Sequence, residues 1–78
     1  MPRFYFHAED GERQVLDEHG MEFPSREAAR DWALARVRQI AFAGPVKADR
    51  RAITVDVSDE RGRVIYTATL LMAGRWIA

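Results

Sequence analysis

Apolar and polar residues alternate at both ends of this 78-residue chain and follow a helical spacing in between. Near the start, Phe4 and Phe6 fall on one side of an extended segment and Tyr5 and His7 on the other. Asp10-Gly11 then signals a tight turn, and a short strand from Arg13 to Leu16 follows. A second bend at Asp17-Glu18-His19-Gly20 leads to Met21-Glu22-Phe23, a brief third extended piece closed by Pro24. From Ser25 the period changes. Ala29, Trp32, Ala33, Arg36, Val37 and Ile40 recur on one arc of a helix that the pattern predicts over Arg26–Ala43. Ser25 is its N-cap, Glu27 suits the positive end of its dipole, and Gly44-Pro45 ends it. Ala28 stands where a full capping box needs glutamate.

Beyond a polar connector at Val46–Ala52, the period returns to two. Ile53, Val55 and Val57 alternate with Thr54, Asp56 and Ser58. Asp59-Glu60-Arg61-Gly62 predicts a hairpin turn into a strand from Arg63 to Met72. That last strand is apolar on both faces, the pattern of a central strand or one covered on both sides. The predicted fold class is α+β: a small antiparallel four-stranded sheet, ββαββ, with one helix packed on one face. The expected core is Phe4, Phe6, Trp32, Val37, Ile40, Ile53, Val55 and Val57. Residues 1–78 read as a single domain, with 73–78 a flexible or interface-forming tail.

Composition narrows the class. A core this small supplies roughly 3–5 kcal/mol, and without cysteine there is no disulfide or thiolate metal site to add to it. No apolar run approaches the ~18 residues of a membrane span, and the first residues do not read as a signal peptide. The expected location is the cytoplasm, with no membrane partner. Twelve basic and twelve acidic residues balance, but unevenly along the chain. Residues 1–25 carry a net −4 and residues 26–51 a net +4, so the acidic hairpin and basic helix are expected to pair. The alternative is a bipolar binding surface.

Candidate chemistry is sparse. His7 with Glu9, Asp10 or Glu12 lacks a metal-ligand spacing. Ser25 is committed to the cap, Ser58 flanks a turn, and Asp56 with Asp59 or Glu60 is an acidic hairpin before it is an acid/base pair. The expectation is no enzyme, no catalytic, metal or cofactor-binding residues, and no cofactor. A basic patch could form from Arg26, Arg30, Arg38, Lys47, Arg50 and Arg51. The carboxylates of the first 25 residues oppose a phosphate backbone, so nucleic acid is not the expected partner. Arg36 inside the apolar arc is expected to lay its stem on the sheet and reach water, rather than pair with Asp56.

Several segments in combination resemble a known family. They are Met1-Pro2-Arg3-Phe4-Tyr5-Phe6-His7, Asp10-Gly11, Asp17 through Pro24, Glu27-Ala28-Ala29-Arg30, and Val55 through Val64. Together they closely resemble the short bacterial proteins called domain of unknown function 6894, over roughly residues 2 to 70. The resemblance implies a small soluble protein with no assigned activity and brings no catalytic residues. The family usually stops soon after the last strand, so the tail from Leu71 is not explained by it. Gly20 through Ala28 also has a weaker similarity to HicB-type antitoxin domains, which place three strands before the helix. The function expected is a non-catalytic protein-binding module, with a nucleic-acid-associated or antitoxin-like regulator as the alternative. The expected partner is a second copy or another protein, at an interface including Leu70, Met72, Trp76 and Ile77.

Overall fold

The computed structural model describes residues 1–43 and 49–78. The stop signal Gly44-Pro45, the first part of the connector and Lys47 lie outside the described residues. Among the described residues five strands and one helix follow in the order β1 (Arg3–Glu9), β2 (Gln14–Leu16), β3 (Met21–Glu22), α1 (Arg26–Ala41), β4 (Arg50–Ser58) and β5 (Val64–Ala73). All pairings are antiparallel. The main path across the sheet is β2-β1-β4-β5, the four expected strands, and β3 adds a two-residue fifth. β2 and β3 share one edge of β1, meeting its carboxyl and amino halves respectively.

Both hairpins turn on the same device. Asp10 Oδ1 accepts from the Glu12 and Arg13 amides at 3.0 and 2.8 Å. Asp59 Oδ1 accepts from Arg61 and Arg63 at 2.9 and 3.0 Å. In each, a carboxylate satisfies amides that the reversing chain would otherwise leave unpaired. The third bend repeats it, Asp17 Oδ1 accepting from His19 and Gly20. Arg3 then clasps that bend, donating to the His19 carbonyl at 2.9 Å and to Glu22 at 3.2 Å.

The helix begins as its sequence requires: Ser25 is extended and its Oγ accepts from the Ala28 amide at 3.2 Å. It ends at Ala41, two residues short of the expected Ala43, with Phe42 as C-cap. Ala29, Ala33 and Val37 form its buried stripe. Two alanines four positions apart remove side-chain bulk from one line of the helix, so its axis sits close to the sheet. It packs mainly on β4 and β5 and less on β1. Under it lie Phe4, Phe6, Ile53, Val55, Val57 and Ala68. Phe23 closes the lower side with its ring 6.2 and 5.9 Å from those of Phe4 and Phe6.

Three expectations need correction. Trp32 and Ile40 are only half-buried, because the helix leans over β4–β5 and leaves their β1 side open. Residues 50–52 belong to β4, not to a connector: Arg50, Arg51 and Ala52 pair with Ala73, Met72 and Leu71. β5 is an edge strand rather than a central or doubly covered one, since β4 takes the place beside β1. The back of the sheet is also mostly polar. Cross-strand rows there read Leu16–His7–Asp56–Thr67 and Gln14–Glu9–Thr54–Thr69. Thr67 donates to Asp56 at 2.6 Å, and the hydroxyls of Thr54 and Thr69 meet at 3.3 Å. Val64 and Ile65 are exposed at the start of β5 and Leu34 on the helix, while Leu70, Leu71, Met72, Trp76 and Ile77 gather at one end of the molecule.

Candidate interaction surface

That end is where β1 and α1 finish, β4 begins and β5 finishes. β4 and β5 carry nine and ten residues, or about 30–33 Å of strand, against about 24 Å for the sixteen-residue helix. The hairpin therefore overhangs, and the molecule measures 53 × 20 × 20 Å. Leu70, Leu71 and Met72 are exposed on the overhang. The Gly74 amide donates to the Asp49 carbonyl at 2.6 Å, which carries the line of β5 one residue past its end. Trp76 and Ile77 follow, 90% and 82% exposed. The four expected interface residues thus lie on one end, Leu70 and Met72 on the helix side of β5 and the other two on the tail.

Sequence reasoning missed a second feature. Because the helix leans away from β1, a groove of about 330 Å³ opens between it and the β1–β2 hairpin. Phe6, Ala8, Val55, Trp32 and Ile40 form its floor and helix wall, with Val15 and Met21 along the outer strands. The rings of Trp32 and Phe6 meet at 4.4 Å. Charged residues rim it: Asp10, Arg13, Asp17 and Arg36; Glu9 lines it from a register position that belongs to the back-face row. Arg36 is exposed there, reaching Gln39 at 3.3 Å, while Asp56 is engaged by Thr67. The alternation of Val15 and Ala8 toward the helix side was legible, but the lean that leaves them open was not.

Among the described residues, the basic side chains are spread over both ends of the helix and the start of β4. Arg26 and Arg30 lie beside neighbouring carboxylates, Glu27 at 3.6 Å and Asp31 at 3.2 Å. They share a second cavity, about 260 Å³, with Ile65 and Tyr66. Arg38 is in the last turn of the helix, and Arg50 and Arg51 start β4. Of the described residues in this basic segment, Arg51 alone reaches the acidic hairpin, at 3.6 Å from Asp10. No helix arginine among the described residues bridges to the hairpin: the one bridge comes from β4, while Arg26 and Arg30 pair with the carboxylates next to them in sequence.

The candidate catalytic groups are dispersed. His7 stands on the back of the sheet opposite Leu16 and Asp56, with a buried Nε2 that has no hydrogen-bond partner among the described residues. Asp10 belongs to the hairpin loop, and no three metal-ligating side chains gather among the described residues. The Arg13 and Glu12 amides, aided by Arg51, hold the Asp10 carboxyl below its usual value. The Arg63 amide, then that of Arg61 and the Arg63 charge, does the same to Asp59. Both are turn carboxylates stabilised as anions.

These features define a class: a small α+β domain, one helix on one face of an antiparallel sheet, with an apolar cluster exposed at the end of its last strand. The chain belongs to the family Domain of unknown function (DUF6894), matched over residues 3–71. Residues 72–78, which include Trp76 and Ile77, lie past the matched segment. Comparison with curated proteins and with solved structures finds no match to either. No helix among the described residues is long and apolar enough to cross a membrane.

Proposed function

We propose that this chain is a non-catalytic interaction module that binds a second protein chain through the overhanging end of β5 and the tail, and that its first partner is another copy of itself. One observation carries the reading: β5 runs ten residues without a charge or a proline, one edge unpaired among the described residues, and ends in exposed Leu70, Leu71 and Met72. Sheet proteins ordinarily blunt such strands with lysine, proline or a short length. β5 has only a register shift near its start, opposite Val57 and Ser58. A domain this small also gains stability by burying such surface against a partner. The proposed setting is the cytoplasm of a bacterium, in keeping with the family resemblance and with a chain that uses no disulfide.

Light scattering at tens to hundreds of micromolar tests this. The expected result is twice the chain mass, with Leu71→Lys returning the protein to a monomer of unchanged circular dichroism. A parent monomer at every concentration would overturn the reading. The alternative, a nucleic-acid-associated or antitoxin-like regulator, draws on Arg26 and Arg30 beside Tyr66. The carboxylates next to both arginines weigh against it.

A further inference from the structure

The groove and the tail are both apolar, both open and both at the same end of one protomer. We infer that the groove between α1 and the β1–β2 hairpin receives Trp76 of a second copy, so that two chains exchange tails about a twofold axis. The inference rests on the self-association proposed above and names its contact.

Size supports this occupant. A groove of about 330 Å³ floored by Phe6, Ala8 and Val55 accommodates an indole and part of an isoleucine. Aromatic residues bury the largest areas of any side chain and dominate interface energetics. Trp32 already stands in the wall, so an entering indole meets an aromatic face.

The path of the tail favours a second copy over the protomer's own groove. Arg50 pairs with Ala73, and the Gly74 amide bonds to the Asp49 carbonyl. These contacts aim the tail off the end of the sheet, along β5. To enter its own groove it would have to reverse within two residues and cross β4. A second copy approaching end to end presents its groove where the tail already points. A twofold arrangement satisfies both tails and both grooves at once.

The test uses the full chain and two substitutions at exposed positions, Trp76→Ala in the tail and Val15→Arg at the groove. Val15 is 62% exposed, so arginine there leaves the core intact. Each is expected to raise the dimer dissociation constant about thirtyfold or more, the size of an interface hot spot. The decisive arm mixes the two variants. The first keeps an intact groove and the second an intact tail, so an equimolar mixture regains one exchange and forms a mixed dimer that neither makes alone. If Leu71→Lys dissociates the parent dimer while Trp76→Ala and Val15→Arg do not, the strand edge is the interface and tail exchange is wrong. If the mixture stays monomeric, tail exchange is wrong too. A parent that never dimerises removes the self-association reading itself.

Discussion

Replacing Gly20 by alanine is expected to cost this domain most or all of its stability, and the structure divides the cost into two parts. Gly20 closes the Asp17 bend with φ at +73°, a conformation in which a Cβ is strained wherever it sits. That part costs about 1–2 kcal/mol. The second part is specific to the site. A Cβ on Gly20 would lie 2.8 Å from Arg3 Cγ, 2.9 Å from the Phe4 carbonyl oxygen and 3.0 Å from Tyr5 Cε1. Ordinary contacts between such atoms are about 3.5–4 Å. The Arg3 stem can swing aside only by loosening its bonds to His19 and Glu22. The Phe4 carbonyl belongs to β1 and cannot move without the sheet. Overpacking of this kind costs about 1–3 kcal/mol more.

Gly11 and Gly62 are internal controls. They have φ of +93° and +78°, yet a Cβ on either meets nothing within 4 Å. Gly11→Ala and Gly62→Ala should therefore lose the conformational part alone, about 1–2 kcal/mol, a fall of roughly 5–15 °C in melting temperature for a domain this size. Gly20→Ala should lose about 2–5 kcal/mol, comparable with the whole stability a core this small supplies. Urea and thermal melts by circular dichroism at one fixed protein concentration make the comparison. If Gly20→Ala lies within about 0.5 kcal/mol of Gly62→Ala, the packing of Arg3, Phe4 and Tyr5 over the bend is not what the structure says it is.

Trp32→Ala should cost about 2–3 kcal/mol rather than the larger loss of a central tryptophan, because one side of the indole faces the groove; a urea midpoint close to the parent's would place Trp32 outside the core. Asp10 and Asp59 have folded-state carboxyls below the usual 3.8, so the unfolded chain takes up protons first as pH falls. Their contribution is complete above the ordinary carboxylate range and is lost on acidification through it toward the folded values; melting temperature should fall between about pH 5 and pH 3, less steeply in Asp10→Asn and Asp59→Asn. Binding to single- or double-stranded DNA or RNA should be weaker than about 1 μM at physiological salt; a tighter, steeply salt-dependent complex would favour the regulator reading.

Periodicity was enough to read the elements and not enough to read the lean. Ile53, Val55 and Val57 alternate cleanly and are buried, and Ser25 caps as its hydroxyl dictates. These are local properties, set by one residue and its nearest neighbours. Trp32, by contrast, lies on the apolar arc with Ala29, Ala33 and Val37, and nothing in the spacing separates it from them. What separates it is volume. The helix approaches the sheet along its smallest residues, so Ala29 and Ala33 are fully buried while the bulkier Trp32 and Ile40 are pushed to the flank. β5 misled for a related reason. A strand apolar on both faces suits a central position, but it suits equally an edge whose far end has no cover of its own.

Groove and overhang follow from one mismatch between helix and sheet. One sixteen-residue helix cannot cover four strands, so its position decides which surface stays open. Seated on β4 and β5 by its alanine stripe, it covers Phe4 and Phe6 of β1 but leaves Ala8 half-buried and Val15 of β2 exposed across the sheet. At about 24 Å it is also shorter than the hairpin it sits on, so the far end of that hairpin is uncovered along the sheet. A bulkier stripe would lift the helix, and a longer one would shelter Leu70 and Met72. Neither would leave a groove and an apolar arm at the same end. The substitution that separates these effects is Ala33→Leu: it should move the helix off the β4–β5 seat and cost about 1–3 kcal/mol by overpacking. If self-association depends on that seat, the dimer should weaken although Ala33 touches no partner; a dimer of unchanged affinity in a destabilised protomer would show that the arm alone carries the contact.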